Sequence, residues 1–273
     1  MKLPQRISLV RCTLSLDRTL ILGVLNVTPD SFSDGGEWIE VDRAVARGLE
    51  MRAQGADIID VGGESTRPGA DAVSEEEERR RVIPVIERLG GLVSIDTSKA
   101  SVAEAALRAG AQIVNDVTSL RDPRMAQVIA RAEAAVILMH MKGTPRTMQK
   151  KPMYHEVVSD ICDFLRRRAK RALSAGIPRD RIVVDPGIGF GKRPEHNLEI
   201  LRRLGEFRRL GFPICVGTSR KSFIGHVLGR EVHERVFGTA ATVAASVLKG
   251  AHLVRVHDVP EMVDVARMCD RLK

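Results

Sequence analysis

The chain has 273 residues, of which 44% are hydrophobic and 29% charged, the balance of a folded globular protein rather than a disordered one. With 43 Lys and Arg against 35 Asp and Glu, the formal charge is +8, which favours anionic small substrates by steering. Aromatic side chains are 3% of the total, too few for a platform that stacks single-stranded nucleic acid.

Residues 7–16 alternate weakly and predict a small hairpin. Short β-branched runs then alternate with longer segments of helical spacing. The strand candidates are 20–27, 58–62, 92–96, 113–117, 135–141, 182–185, 213–217 and 253–257. Helical segments fall between them, at 41–54, 74–89, 101–108 and 154–175. Ser74 followed by Glu77 reads as a capping box, and Gly176 with Pro178 as a helix stop. The basic runs Arg79-Arg80-Arg81 and Arg166-Arg167-Arg168 lie in helical segments with acidic neighbours, so they read as solvated faces, not as a nucleic-acid patch.

Strands that are apolar throughout are buried on both faces, which implies a parallel sheet. Eight β-α units in about 250 residues match a single α/β domain over 1–273, a (β/α)8 TIM barrel, with the hairpin closing its floor. An open doubly wound sheet is the competing arrangement.

The cysteines Cys12, Cys162, Cys215 and Cys269 form no CxxC pair or zinc knuckle and read as reduced, mostly buried thiols. Arg6, Arg11, Asp17 and Arg18 break every apolar stretch near the N-terminus, so no secretory signal is predicted. The longest apolar run, 134–139, is too short to span a bilayer. A cytoplasmic protein without a membrane or nucleic-acid partner is the expectation.

Nearly every strand candidate ends in a polar residue followed by a turn. In order these are Asn26, Glu64, Asp96, Asn115-Asp116, His140, Asp185, Ser219-Arg220-Lys221 and Arg255-Val256-His257. One carboxylate after a strand is as often a helix N-cap as a site residue. The same habit at eight ends points to the C-terminal mouth of a barrel, where active sites lie. The early and middle strands supply acceptors, Asp96, Asn115 and Asp185, suited to a flat heterocycle rich in N–H donors. The late strands supply Lys221, Arg255 and His257, which with Asn26 suit phosphate or pyrophosphate. A substrate with a ring and a phosphorylated arm is implied.

The run Gly187-Ile188-Gly189-Phe190-Gly191-Lys192 lacks the spacing of either glycine-rich nucleotide fingerprint. It reads as a tight loop after the sixth strand that leans Phe190 over the site. His140 and His257 are too few and too far apart to argue for zinc, and His140 reads as packing. Asn26 together with substrate phosphate oxygens would suit Mg2+, which is held by few protein ligands.

Eight blocks then carry a resemblance. They are residues 22–36 (LGVLNVTPDSFSDGG), 55–69 (GADIIDVGGESTRPG), 93–98 (VSIDTS), 110–117 (GAQIVNDV), 139–149 (MHMKGTPRTMQ), 184–192 (VDPGIGFGK), 217–225 (GTSRKSFIG) and 250–259 (GAHLVRVHDV). In this order they resemble the bacterial dihydropteroate synthases over nearly the whole chain. Lys142 stands where that family's pattern has Gln, and Thr218 where some members have Cys.

The resemblance implies a transferase of folate biosynthesis, the target of sulfonamides, that joins 6-hydroxymethyl-7,8-dihydropterin pyrophosphate to p-aminobenzoate. It implies that Asp96, Asn115, Asp185 and Lys221 hold the pterin, beside Phe190. Asn26, Thr66, Arg255 and His257 would hold the pyrophosphate, with Asn26 on Mg2+. Arg67, Pro68, Lys221 and Ser222 would face p-aminobenzoate. Asp30 and Phe32 in a first mobile loop, and Thr66 and Arg67 in a second, would complete catalysis with Lys221. A homodimer is implied as well. A pterin-binding methyltransferase has no need of the Ser-Thr-Arg-Pro and Ser-Arg-Lys-Ser blocks, and a non-catalytic paralogue should have lost Asp30, Phe32, Thr66 or Arg67. All of these are present.

Overall fold

A computed structural model describes residues 4–28, 37–65, 69–150 and 152–273. The chain starts with two short antiparallel strands, β1 (Arg6–Ser8) and β2 (Thr13–Ser15). Eight parallel strands follow: β3 (Leu20–Asn26), β4 (Ile58–Gly62), β5 (Val93–Asp96), β6 (Ile113–Asp116), β7 (Ala135–Met139), β8 (Ile182–Asp185), β9 (Cys215–Val216) and β10 (Leu253–Val256). Their spatial order is β8-β7-β6-β5-β4-β3-β10-β9. A parallel bridge between Val184 and Ile214, with Val184 N donating to Pro213 O at 2.9 Å, joins the two edges and closes a barrel. Closure leaves the eight-stranded sheet no free edge to pair with another chain.

The helices that return the chain between strands are α1 (Glu37–Ala53), α2 (Glu75–Leu89), α3 (Ala100–Arg108), α4 (Met125–Arg131), α5 (Val157–Ser174), α6 (Pro194–Arg202), α7 (Ser222–Leu228), α8 (Val236–Leu248) and α9 (Val259–Arg271). Outward strand residues such as Ile21, Ile59, Val61, Ile95 and Val114 pack with the inner faces of these helices in one large cluster. A second cluster fills the barrel from below. Leu20, Leu22, Ile58, Ile113, Ile137, Val183 and Leu253 meet Ile7 and Leu9 of the hairpin there. The hairpin therefore plugs the floor, and Ser8 Oγ bonds Asp180 at 2.6 Å to hold it.

Three local expectations are refined. Strand 135–141 ends at Met139, because His140 turns to contact the loop after β8. Strand 213–217 shrinks to Cys215–Val216, because Pro213 has no N–H for a ladder and Ile214 N bonds the His252 ring at 3.1 Å. Ser74 does cap α2, accepting from Glu77 N at 3.1 Å. The Glu77 carboxylate is drawn instead to Arg80 and Arg81 one turn on, at 2.8 and 2.7 Å, where charge-assisted bonds are stronger than a return bond to the cap.

Candidate active site

Side chains alternate along each strand, so the positions above the apolar floor on the same inward face line the mouth. Asn26 is in register with Gly62, Gly62 with Asp96, and Asp96 with Asn115, so these positions lie level across β3 to β6. Gly62 leaves room in that row, since a Cβ there would stand 3.9 Å from Asn26 Oδ1.

One turn of the pleat below sits Asp60, fully buried. Its Oδ2 accepts from Arg255 Nε at 2.6 Å and from Asn115 Nδ2 at 3.1 Å. Arg255 Nη2 reaches Asp96 Oδ2 at 2.7 Å. One guanidinium thus pairs with two buried carboxylates, while Arg255 Nη1 makes no hydrogen bond among the described residues. Among the described residues the buried atoms Asp60 Oδ1, Asp96 Oδ1 and Ser94 Oγ also lack partners. Burial pushes the Asp96 carboxyl up to about 7, against the pull of Arg255.

The other half of the mouth is built on the loop after β8. Asp185 Oδ1 accepts from Gly187 N at 2.6 Å. Burial raises its carboxyl above the usual range, and Lys221 opposes that shift. Lys221 donates to Ile188 O, and its ammonium stands 4.3 Å from the centre of the Phe190 ring. Burial lowers this ammonium to about 8, against the attraction of Asp185. Phe190 packs with Val117, Met139, Met141 and Met148, an apolar wall beside the carboxylates. At the rim, the His257 ring meets Ser219 Oγ at 3.0 Å. Ser222 is the first residue of α7, and no side chain caps that helix start.

Not every strand-end polar residue joins the site. Glu64 binds Lys99 at 2.7 Å and Val73 N at 3.0 Å. Asp116 holds the next turn through Thr118 N and Leu120 N, at 2.8 and 2.6 Å. Arg220 Nε bonds Asp258 at 3.0 Å, in an outer cavity of about 400 Å³ that also borders Arg47, His257 and Glu261. For these three the local, structural use of a polar residue wins.

The profile of the pterin binding enzyme family matches residues 22–257. The dihydropteroate synthase of Haemophilus influenzae is 44% identical over 93% of this chain and 94% of its own length. That of Bacillus subtilis is 46% identical over 94% and 89%. The chain belongs to the dihydropteroate synthase family. The solved Xanthomonas albilineans dihydropteroate synthase with 4-aminobenzoic acid is 45% identical and superposes with a TM-score of 0.92 over 98% of both chains. The same organism's enzyme in complex with 7,8-dihydropteroate gives 0.88 at 42% identity over 98% of both.

Within the family frame, the structure brings Asn26, Asp96, Asn115, Asp185, Phe190, Lys221, Ser222, Arg255 and His257 to one end of the barrel. Asp30, Phe32, Thr66, Arg67 and Pro68 lie outside the described residues. Sequence reasoning missed Asp60. Its signal was present, a lone acid in the middle of the apolar strand Ile58–Gly62, two residues from each end. Sequence reasoning also placed Arg255 with the phosphate groups alone, whereas its side chain reaches back between the acids.

Proposed function

We propose that this protein condenses 6-hydroxymethyl-7,8-dihydropterin pyrophosphate with p-aminobenzoate, giving 7,8-dihydropteroate and pyrophosphate. The observation that carries this reading is the mouth itself. Buried acceptors on Asp96, Asn115 and Asp185 share one wall with the cations Lys221 and Arg255. The partnerless Asp96 Oδ1 suits a ring N–H, and a carboxylate such as Asp185 can take two parallel bonds from an N–C–N edge. The Met139 and Phe190 wall suits the flat face of the ring.

The chemistry follows from charge. As the methylene–oxygen bond breaks, positive charge spreads into the electron-rich ring and negative charge leaves on the diphosphate. Asp96 and Asp185 would stabilise the first, and Arg255 Nη1, His257 and Asn26 would receive the second. The amine of p-aminobenzoate then attacks the methylene, so no protein nucleophile is needed. Its carboxylate would meet the N–H groups at the start of α7, beside Ser222, and the resemblance assigns Arg67 and Pro68 to the same substrate. Water must be kept from the reacting centre, and the resemblance assigns catalytic roles to Asp30, Phe32 and Thr66, which lie outside the described residues.

Asn26 fits a role on Mg2+. It offers one hard amide oxygen next to Gly62, and no group of three or more His, Cys, Asp or Glu among the described residues forms a full protein cage. Bound there, the ion would neutralise diphosphate oxygens. A homodimer fits the surface. α8 carries no charged residue over thirteen positions; Phe237 near its start is 84% exposed, and Leu248 at its end and Val227 and Leu228 on α7 are half-exposed. Four free thiols accord with a cytoplasmic location. No described helix is long and apolar enough to cross a membrane.

The test is pyrophosphate release from the pterin pyrophosphate. Release that requires both p-aminobenzoate and Mg2+ supports the reading. Release unaffected by omitting the amine would point to simple hydrolysis and overturn it.

A further inference from the structure

We propose that Lys192 is a positioning residue for the pterin end of this site: its ammonium locks the loop after β8 onto the end of β7, and so sets where Asp185, Phe190 and Lys221 stand. The inference rests on the activity proposed above.

Lys192 is 2% exposed. Its Nζ donates to Gly187 O at 2.7 Å and Phe190 O at 3.0 Å, and meets His140 at Nδ1 (2.9 Å) and O (3.3 Å). No described carboxylate forms an ion pair with it. Burial lowers this amine well below the ordinary lysine range, opposed by the charge of Asp185, so its N–H groups depend on the acceptors around them. Here the acceptors come from two separate segments, the β8 loop and residue 140, and they converge on one atom. Without a donor between them, these oxygens would face one another uncompensated.

The two segments touch closely enough for this link to matter. A Cβ at Gly187 would lie 1.9 Å from His140 O, and one at Gly191 would lie 2.4 Å from Lys142 O, so backbone packs on backbone. The rest of the loop is tied too. Gly189 N donates to Asn197 at 2.7 Å, Gln149 donates to Gly189 O at 2.9 Å, and Tyr154 donates to Gly191 O at 2.7 Å. Lys221 grips the same loop at Ile188 O from the site side. Asp185 is anchored through Gly187 N, and Phe190 through its own carbonyl on Lys192. A shift at Lys192 is therefore felt first by the groups assigned to the pterin. It is not felt by Asn26 or His257, which stand on β3 and after β10. The glycine-rich run ending in lysine looks like a phosphate loop, yet its ammonium is occupied by main-chain oxygens of the loop itself.

Lys192→Met keeps the length of the side chain and removes the donors. The expected result is a KM for the pterin pyrophosphate raised roughly tenfold or more, with a clearly smaller rise for p-aminobenzoate, which of these three groups only Lys221 also faces. A purely stabilising role would lower the unfolding midpoint and leave both KM values in place. The His140 pair guards against a variant that does not fold. His140→Asn keeps a polar group near the Nδ1 position and should resemble wild type, whereas His140→Leu should show the same pterin-selective rise. An unchanged pterin KM in Lys192→Met, an equal rise in both KM values, or identical behaviour of the two His140 variants would each overturn the proposal. The wild-type assay separates the two readings, since absence of turnover there overturns the activity and this inference with it.

Discussion

Asp185 and Lys221 pull on each other's protons at the centre of the mouth, and the chemistry there turns on single groups. Replacing Asp185 by Asn keeps the shape and removes the charge. Pterin binding measured by calorimetry should weaken by about 2–4 kcal/mol, the usual cost of breaking a buried charge-assisted pair. An unchanged affinity would remove Asp185 from the ring assignment. The pH profile of kcat/KM carries a second expectation. Asp96 accepts a ring N–H most strongly as a carboxylate, and it takes up a proton as pH falls through about 7. Lys221 loses its charge as pH rises through about 8. The profile should be a narrow bell between those values, and Lys221→Arg should abolish its alkaline limb. At this scale the sequence was informative where a polar residue ended a strand and silent where it sat inside one. Asp60 holds both Asn115 and Arg255, and its one linear signal is an acid at the middle of an apolar strand rather than at its end. Glu64, Asp116 and Arg220 show the converse, polar ends used for local bonding.

Elements join through equally specific contacts. β9 has two residues, and its attachment to β10 depends on His252, whose ring accepts from Ile214 N at 3.1 Å while its own N donates to Ile214 O at 2.8 Å. Burial lowers the His252 imidazole to about 4 from an ordinary value of 6.5. Between those values the unfolded chain binds the proton and the folded one does not. Stability from this group is therefore complete above 6.5 and is lost as pH falls toward 4, by up to roughly 3 kcal/mol. Urea unfolding at pH 7 and pH 5 should show the loss in the wild type. His252→Asn, which keeps an acceptor and does not titrate, should show less of it; an equal loss would place the acid sensitivity elsewhere. The order of strands and helices was readable because β-branched runs and helical spacing alternate so regularly. Element ends were less so. Pro213 has no N–H for a ladder, Ile214 N is taken by the His252 ring, and His140 meets Lys192, partners far away in sequence.

On the scale of the molecule, the uncharged α8 carries Phe237 outward, uncovered by the protein's own packing among the described residues. A charge placed there should break a dimer without touching the mouth. Phe237→Asp is expected to sediment as a monomer where the wild type sediments as a dimer, with its circular dichroism unchanged; a wild-type monomer would dismiss the dimer instead. The sequence by itself determined the eight repeated units, the parallel sheet and the family, because periodicity and motif order are properties of the chain taken one stretch at a time. It also supplied most of the mouth's residues, since strand ends can be counted. The tertiary structure alone decided that Arg255 lies between Asp60 and Asp96, and that Lys192 binds carbonyls rather than phosphate. Those choices depend on which buried charges come within bonding distance, and that distance exists only once the barrel has closed.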